Sequence, residues 1–278
     1  MRDNSAIFDA AEESDSKVVT IPKEVLQRNK RIYTFLVDLP SEGKMYPEGH
    51  PLRDKIKIEL KQMTAKEENI LASVDFVEAG IAVQKLLESV VLIPELDVNT
   101  LVNIDRQSII YGLRVNAFGK DYGNPDVGCP KCGAKLKKMQ VPDFKVPQAQ
   151  IPQDVSANRS EDGSFYVVSP SKIKVKLKPL TFPEEREVFK KSMVNGKFSS
   201  LVLPFLEATV AEIDGEKDPE ELKDMIENLR SVDSRFLMNI YSKIFPPVKL
   251  SVTAECTSCD MTEDLEVPLD AGFFWNIN

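Results

Sequence analysis

Apolar and polar positions along the chain follow first a two-residue period and then a helical one. KIKIELKQM, from Lys55, sets Ile56, Ile58 and Leu60 against Lys57, Glu59 and Lys61, which predicts a half-buried strand. IYTFLVDL, Ile32 to Leu39, is apolar and β-prone and predicts another strand. The Pro- and Gly-rich LPSEGKMYPEGHPL between them predicts an ordered loop. His50, the only histidine, lies in that loop without a partner pattern and is assigned no chemical role. The period then changes: Thr64 with Glu67 three residues on makes a capping box, and FVEAGIAVQKLLESVVL carries apolar residues at helical spacing, read as core. NIDRQSIIYGLRVNAFG predicts a further helix, with Asp105 as N-cap and an end near Gly119.

The same succession returns later in the chain. KIKVKLKPL, Lys172 to Leu180, echoes KIKIELKQM, and TFPEEREVF echoes TAKEENILA with the same capping spacing, Thr181 to Glu184. LEATV at Leu206 follows as LESVV does at Leu87, SVDSRFL around Asp233 as NIDRQSI around Asp105, and CTSC at Cys256 as CPKC at Cys129. One insertion of about nine residues, at IDGEKDPEEL, accounts for the change in spacing. Landmarks kept in one order predict an internal duplication. The expected class is α+β: two tandem related copies, each a strand, helices and a cysteine-bearing β-hairpin. The expected boundaries are 1–22 for an acidic flexible tail, 23–145 for the first copy, 146–165 for a Pro-rich linker and 166–278 for the second.

Composition narrows the function classes. A formal net charge of -8 argues against a protein built to neutralise phosphate. No apolar run is long enough to span a bilayer, and the opening residues carry five acids (Asp3, Asp9, Glu12, Glu13, Asp15) where a signal peptide would be basic and then apolar. A soluble, non-exported protein is expected. In a reducing compartment, closely spaced cysteines serve metal or redox chemistry more often than structural disulfides.

Each repeat ends as strand, Cys-x-x-Cys, strand. One such turn supplies two thiolates, half of a tetrahedral site, and two equivalent hairpins facing each other supply four: Cys129, Cys132, Cys256 and Cys259. Gly133, and Asp260 at the matching place, suit a left-handed turn after each pair. Structural zinc in a four-cysteine ribbon joining the two copies is the favoured reading. A redox pair would need a helix N-terminus to lower the thiol pKa, and β-like arms flank both pairs. A thiol redox function and a site without metal stay open as alternatives.

Little else resembles catalytic chemistry. Four cysteines close a zinc shell, there is no phosphate-cradling loop or nucleophile with a histidine base, and the pairs Glu67/Glu68 and Glu184/Glu185 suit solvated helix starts. No enzyme is expected. Lys135, Lys137 and Lys138 form a basic strip beside the first knuckle, read as a solvated strand face; nucleic-acid binding by a zinc ribbon is the runner-up function. Near the end stand Phe273, Phe274 and the single tryptophan, Trp275, large aromatics that either fill the chain's own core or insert into a partner, and they are assigned here as partner-binding residues.

LPSEGKMYP at Leu39 to Pro47, MTAKEENIL at Met63 to Leu71, the segment ending CPKCG and the late FFW together resemble the baseplate hub family of T-even-type contractile-tailed bacteriophages, which includes hub subunits and a hub assembly factor. The likeness covers mainly residues 32 to 145 and the last ten. It implies a non-enzymatic protein, made in the host cytoplasm, that builds the centre of the virion's tail baseplate. Its partners would be other baseplate and hub proteins, with no small-molecule substrate and no membrane.

Overall fold

A computed structural model describes residues 17–28, 32–122, 128–134, 136, 139–142, 158–194, 197–198, 200–246, 248, 250–267 and 269–275. In chain order these form β1 (Val18–Val19), α1 (Lys23–Arg28), β2 (Thr34–Asp38), β3 (Lys57–Lys61), α2 (Ala65–Ala72), α3 (Val74–Glu78), α4 (Ala82–Val90), α5 (Asn103–Phe118), β4 (Asp121–Tyr122) and β5 (Met139–Gln140). There follow β6 (Asn158–Arg159), β7 (Phe165–Val168), β8 (Lys174–Leu177), α6 (Phe182–Ser192), β9 (Met193–Val194), β10 (Lys197–Phe198), α7 (Val202–Thr209) and β11 (Val210–Ile213). The chain then adds α8 (Pro219–Glu227), α9 (Ser231–Ile244), β12 (Ser251–Glu255), β13 (Thr262–Glu266) and α10 (Gly272–Trp275). The protein is of mixed α+β type.

The alternating KIELK segment pairs antiparallel with β2 from Thr34↔Lys61 to Asp38↔Lys57, and buries Ile58 and Leu60 completely. On its other side β3 takes β1 in parallel, Val18↔Lys57 and Val19↔Ile58. Ile21 is buried and its N–H donates to Glu59 Oε2 at 2.9 Å. Lys17 to Pro22, inside the segment expected as a tail to residue 22, are therefore held against the sheet; residues 1–16 lie outside the described ones. Helix α5 lies on β2, and a Cβ at Gly112 would stand 2.7 Å from Val37 Cγ2, so glycine permits the close approach. The periodic stretch after Thr64 is three helices, not one. Ser73 caps α3 through Phe76 N, and Gly80, at φ 65, turns the chain before α4.

The second half has an antiparallel sheet of order β11-β8-β7-β6. Asn158–Arg159 and Phe165 belong to it, inside the segment expected as linker; residues 143–157 lie outside the described ones. One set of contacts occurs in both halves. Thr64 and Glu67 form a capping box with Lys61 on the same carboxylate, and Thr181 and Glu184 do so with Lys178. Ser41 N donates to Asp105 Oδ1 at 2.9 Å, as Ser171 N does to Asp233 Oδ1 at 2.9 Å. Asp105, expected to cap its helix, instead sits inside the first turn and ties the LPSEG loop down, since the helix starts at Asn103. His50 is likewise structural: it stacks on Tyr46 with ring centres 4.3 Å apart, accepts from Leu52 N and contacts Thr100 Oγ1.

Glu67, expected on a solvated helix start, has a fully buried side chain. Its carboxylate accepts from Lys61 Nζ at 2.6 Å, Ser89 Oγ at 2.5 Å and both N and Oγ1 of Thr64. Burial raises its pKa, but the donors from Lys61, Ser89 and Thr64 outweigh it and bring the group down to about 2 from 4.5. The resulting stability is full above pH 4.5 and is lost as pH falls toward 2. Glu67→Gln is expected to lower stability at neutral pH by about 3 kcal/mol, because Lys61 loses its buried counter-charge. It also removes about one proton from the acid limb. Urea unfolding at neutral and acid pH reads both effects, and an unchanged acid limb would contradict the assignment.

Two buried clusters mark the halves. The second is built on Val167, Val175, Leu177, Leu206, Leu237 and Ile240. The first includes Ile58, Leu86, Ile109 and Leu113, and also takes in Leu250, Val252, Ala254, Val267, Phe273 and Phe274. The last segment thus crosses back onto the first core. Elsewhere the halves meet where Arg106 and Asn103 bind Glu185, where Arg53 Nη1 donates to Glu161 O at 2.7 Å, and where Arg186 Nη2 donates to Ala79 O at 2.9 Å.

Candidate metal centre

The return of the last segment brings the cysteine turns together. Cys129 N donates to Ala134 O at 2.7 Å and Gly133 N to Cys129 O at 2.8 Å, closing a tight loop in which Gly133 has φ 75. In the other turn Cys256 N donates to Met261 O at 2.9 Å, and Asp260 takes the matching left-handed place at φ 50. A bridge between Leu136 and Cys256 holds the two turns side by side, and β12 lies beside β5.

All four Sγ atoms, of Cys129, Cys132, Cys256 and Cys259, lie within 4.8 Å of one another. The closest approaches join different turns: Cys129 to Cys259 at 3.7 Å and Cys132 to Cys256 at 3.5 Å. Both are far beyond a disulfide bond of about 2.05 Å. They approach the edge of a tetrahedron of thiolates around zinc, about 3.8 Å for Zn–S bonds of about 2.3 Å. Lys131 N donates to Cys129 Sγ at 3.4 Å and Ser258 N to Cys256 Sγ at 3.3 Å. The N–H of Ser258 leads in lowering Cys256 to about 6. Cys259 also takes a backbone hydrogen bond from Met261, but desolvation and the neighbouring thiols outweigh it and push it up to about 12. Four sulfurs at this separation ionise together only around a cation. The donor set and spacing are compatible with a zinc ion, and all four donors come from one chain. Cys129 and Cys256 are buried, whereas Cys132 is exposed. Lys135, Lys137 and Lys138 lie outside the described residues.

The aromatic residues behave differently from the expectation for them. Phe273 and Phe274 are 0% exposed and pack in the chain's own core, with Phe273 6.0 Å from Tyr122 between ring centres. They correct the assignment as partner contacts, because a ring sealed in its own core offers no surface. Trp275 is 42% exposed. Arg114, 0% exposed, fastens the segment: Nε donates to Phe273 O at 3.1 Å, while the terminal nitrogens donate to Gly119 O and Asp121 O. The signal for it in the sequence is the four-residue spacing of Arg106, Ile110 and Arg114, which puts two charges on an apolar helix face.

This fold and site define a structural class: a mixed helix-and-sheet protein in which distant segments converge on a cluster of four cysteines. Among the described residues no helix is long and apolar enough to cross a membrane. The family described as T4 bacteriophage base plate protein matches residues 30–275, and the chain belongs to that family. A phage baseplate structural role and a place in the virion tail follow from it. Searches of curated proteins and of solved structures gave no match.

Proposed function

We propose that the chain is a hub component of a T4-type baseplate, a subunit or an assembly protein, that works by binding other baseplate and hub proteins and carries out no catalysis. The observation that carries this reading is the family match over residues 30–275. The cysteine centre supports a mechanical role within it. One structural zinc, held by Cys129, Cys132, Cys256 and Cys259 as a ribbon, clamps the return of the last segment onto the first core. Two tandem related copies underlie the architecture, supported by the paired Thr64/Glu67 and Thr181/Glu184 boxes and the paired Ser41/Asp105 and Ser171/Asp233 latches. Of the three late aromatics, Trp275 is the one left exposed for a partner, and synthesis is in the host cytoplasm.

Proteomics of purified virions, beside baseplate assembly in a deletion mutant, tests the hub reading. A constant ratio to other baseplate proteins in virions assigns a subunit. Absence from virions with arrested baseplates assigns an assembly protein. Normal baseplates and infectious particles without the protein would sink both.

A further inference from the structure

The sulfurs that suit a metal also suit a second linkage. Sγ of Cys132 stands 3.5 Å from Sγ of Cys256, and Sγ of Cys129 stands 3.7 Å from Sγ of Cys259. Each approach joins one turn to the other, and shortening it by about 1.5 Å to the S–S bond length is within reach of side-chain rotation. Exposure orders the pairs. Cys132 is exposed, whereas Cys129 and Cys256 are buried, so a dissolved oxidant meets Cys132, and the nearest sulfur behind it belongs to Cys256. The bridge between Leu136 and Cys256, with Leu250, Val252 and Ala254 buried in the first core, holds the turns side by side through protein contacts alone. Virion surfaces, unlike the cytosol, are places where disulfides form and persist, and the family places this chain in the virion tail.

We propose that in the metal-free chain hydrogen peroxide joins Cys132 to Cys256, and a second equivalent joins Cys129 to Cys259, so that disulfides across the turns fasten the last segment to the first core. In each step the sulfur of one cysteine attacks a peroxide oxygen and the O–O bond breaks, giving a sulfenic acid and one water. The partner sulfur then attacks that sulfur, the S–O bond breaks, and the hydroxide leaves with the partner's proton as a second water. Two thiols and one peroxide thus become one disulfide and two waters, each sulfur giving up one electron. Position also decides the consequence. The Cys132–Cys256 bond spans 124 positions, and a cross-link over a long loop restricts the unfolded chain strongly. A bond inside one Cys-x-x-Cys turn joins near neighbours and leaves the two turns free to part. The pairing rests on the sulfur positions and not on the zinc or hub readings.

In the test, the full chain is reduced, stripped of metal with a chelator and treated with one and then two equivalents of hydrogen peroxide. Digestion without reductant and mass spectrometry, with linked peptides fragmented to place each sulfur, should find Cys132 joined to Cys256 first and Cys129 joined to Cys259 second. The first link is expected to raise the melting temperature of the metal-free chain by about 5–15 °C, and dithiothreitol to reverse the shift. Cys129→Ser/Cys259→Ser keeps only the first pair and should show the same link and the same shift. Links within either turn, oxidation of Cys132 to a sulfinic acid in place of a link, or a linked chain that melts no higher would each overturn the proposal. So would a metal-free chain without a cooperative melting transition, because the folded arrangement is what pairs the sulfurs. Links across the turns in a chain that never takes up zinc, or that baseplates do not need, would leave this proposal standing. Links within a turn would leave the zinc and hub readings standing.

Discussion

Cys129→Ser and Cys256→Ser are each expected to abolish zinc binding altogether and to give the largest loss of stability of any single change. A shared centre has no half: removing one thiolate from either turn leaves three donors, and the remaining pair across the gap loses its reason to converge. Structural zinc in peptides supplies about 10–16 kcal/mol of apparent binding free energy near neutral pH, on the scale of a domain's whole stability of about 5–15 kcal/mol. Binding that requires the folded arrangement adds directly to folding stability. Elemental analysis of the purified protein should find one zinc per chain and none in either variant. Chelation should lower the melting temperature of the unaltered protein and leave the variants where they are. A variant that keeps its zinc, or an unaltered chain purified without metal and indifferent to chelation, would remove the clamp.

The double change Phe273→Ala/Phe274→Ala is expected to cost about 6 kcal/mol or more, taking about 3–5 kcal/mol for each buried phenylalanine lost. The rings touch each other, so the two costs need not add simply. Both rings lie in the first core, and Phe273 also stacks near Arg114, which donates to its carbonyl. Loosening this segment frees the strand pair that carries Cys256 and Cys259, so zinc affinity should fall with stability. Trp275→Ala, at a half-exposed position, should change stability little. Denaturant unfolding of the three proteins with and without chelator separates these effects. A double variant as stable as the unaltered chain would mean the last turn is not part of the core.

Local features were legible because they are written in adjacent residues. The alternation of KIKIELKQM placed a strand, the Thr-x-x-Glu spacing placed two helix starts, and the repeated cysteine spacing named all four thiols of the centre. The continuous helix expected after Thr64 failed at Ser73 and Gly80, where a cap and a left-handed residue break a pattern that apolar spacing alone does not. Glu67 shows the limit more sharply. A helix-start glutamate looks the same in sequence whether water or Lys61, Ser89 and Thr64 surround it.

What the sequence determined by itself was therefore periodic and short in range: element types, capping, and which four sulfurs belong together, since neighbouring residues constrain each other's backbone directly. The tertiary structure alone decided that the last segment returns to the first core, that Phe273 and Phe274 face inward, and that Arg106 and Arg114 are enclosed. Those outcomes depend on which distant apolar surface is left open to be covered. Hydrophobic burial has no direction along the chain, so its solution is found only when the whole chain is packed.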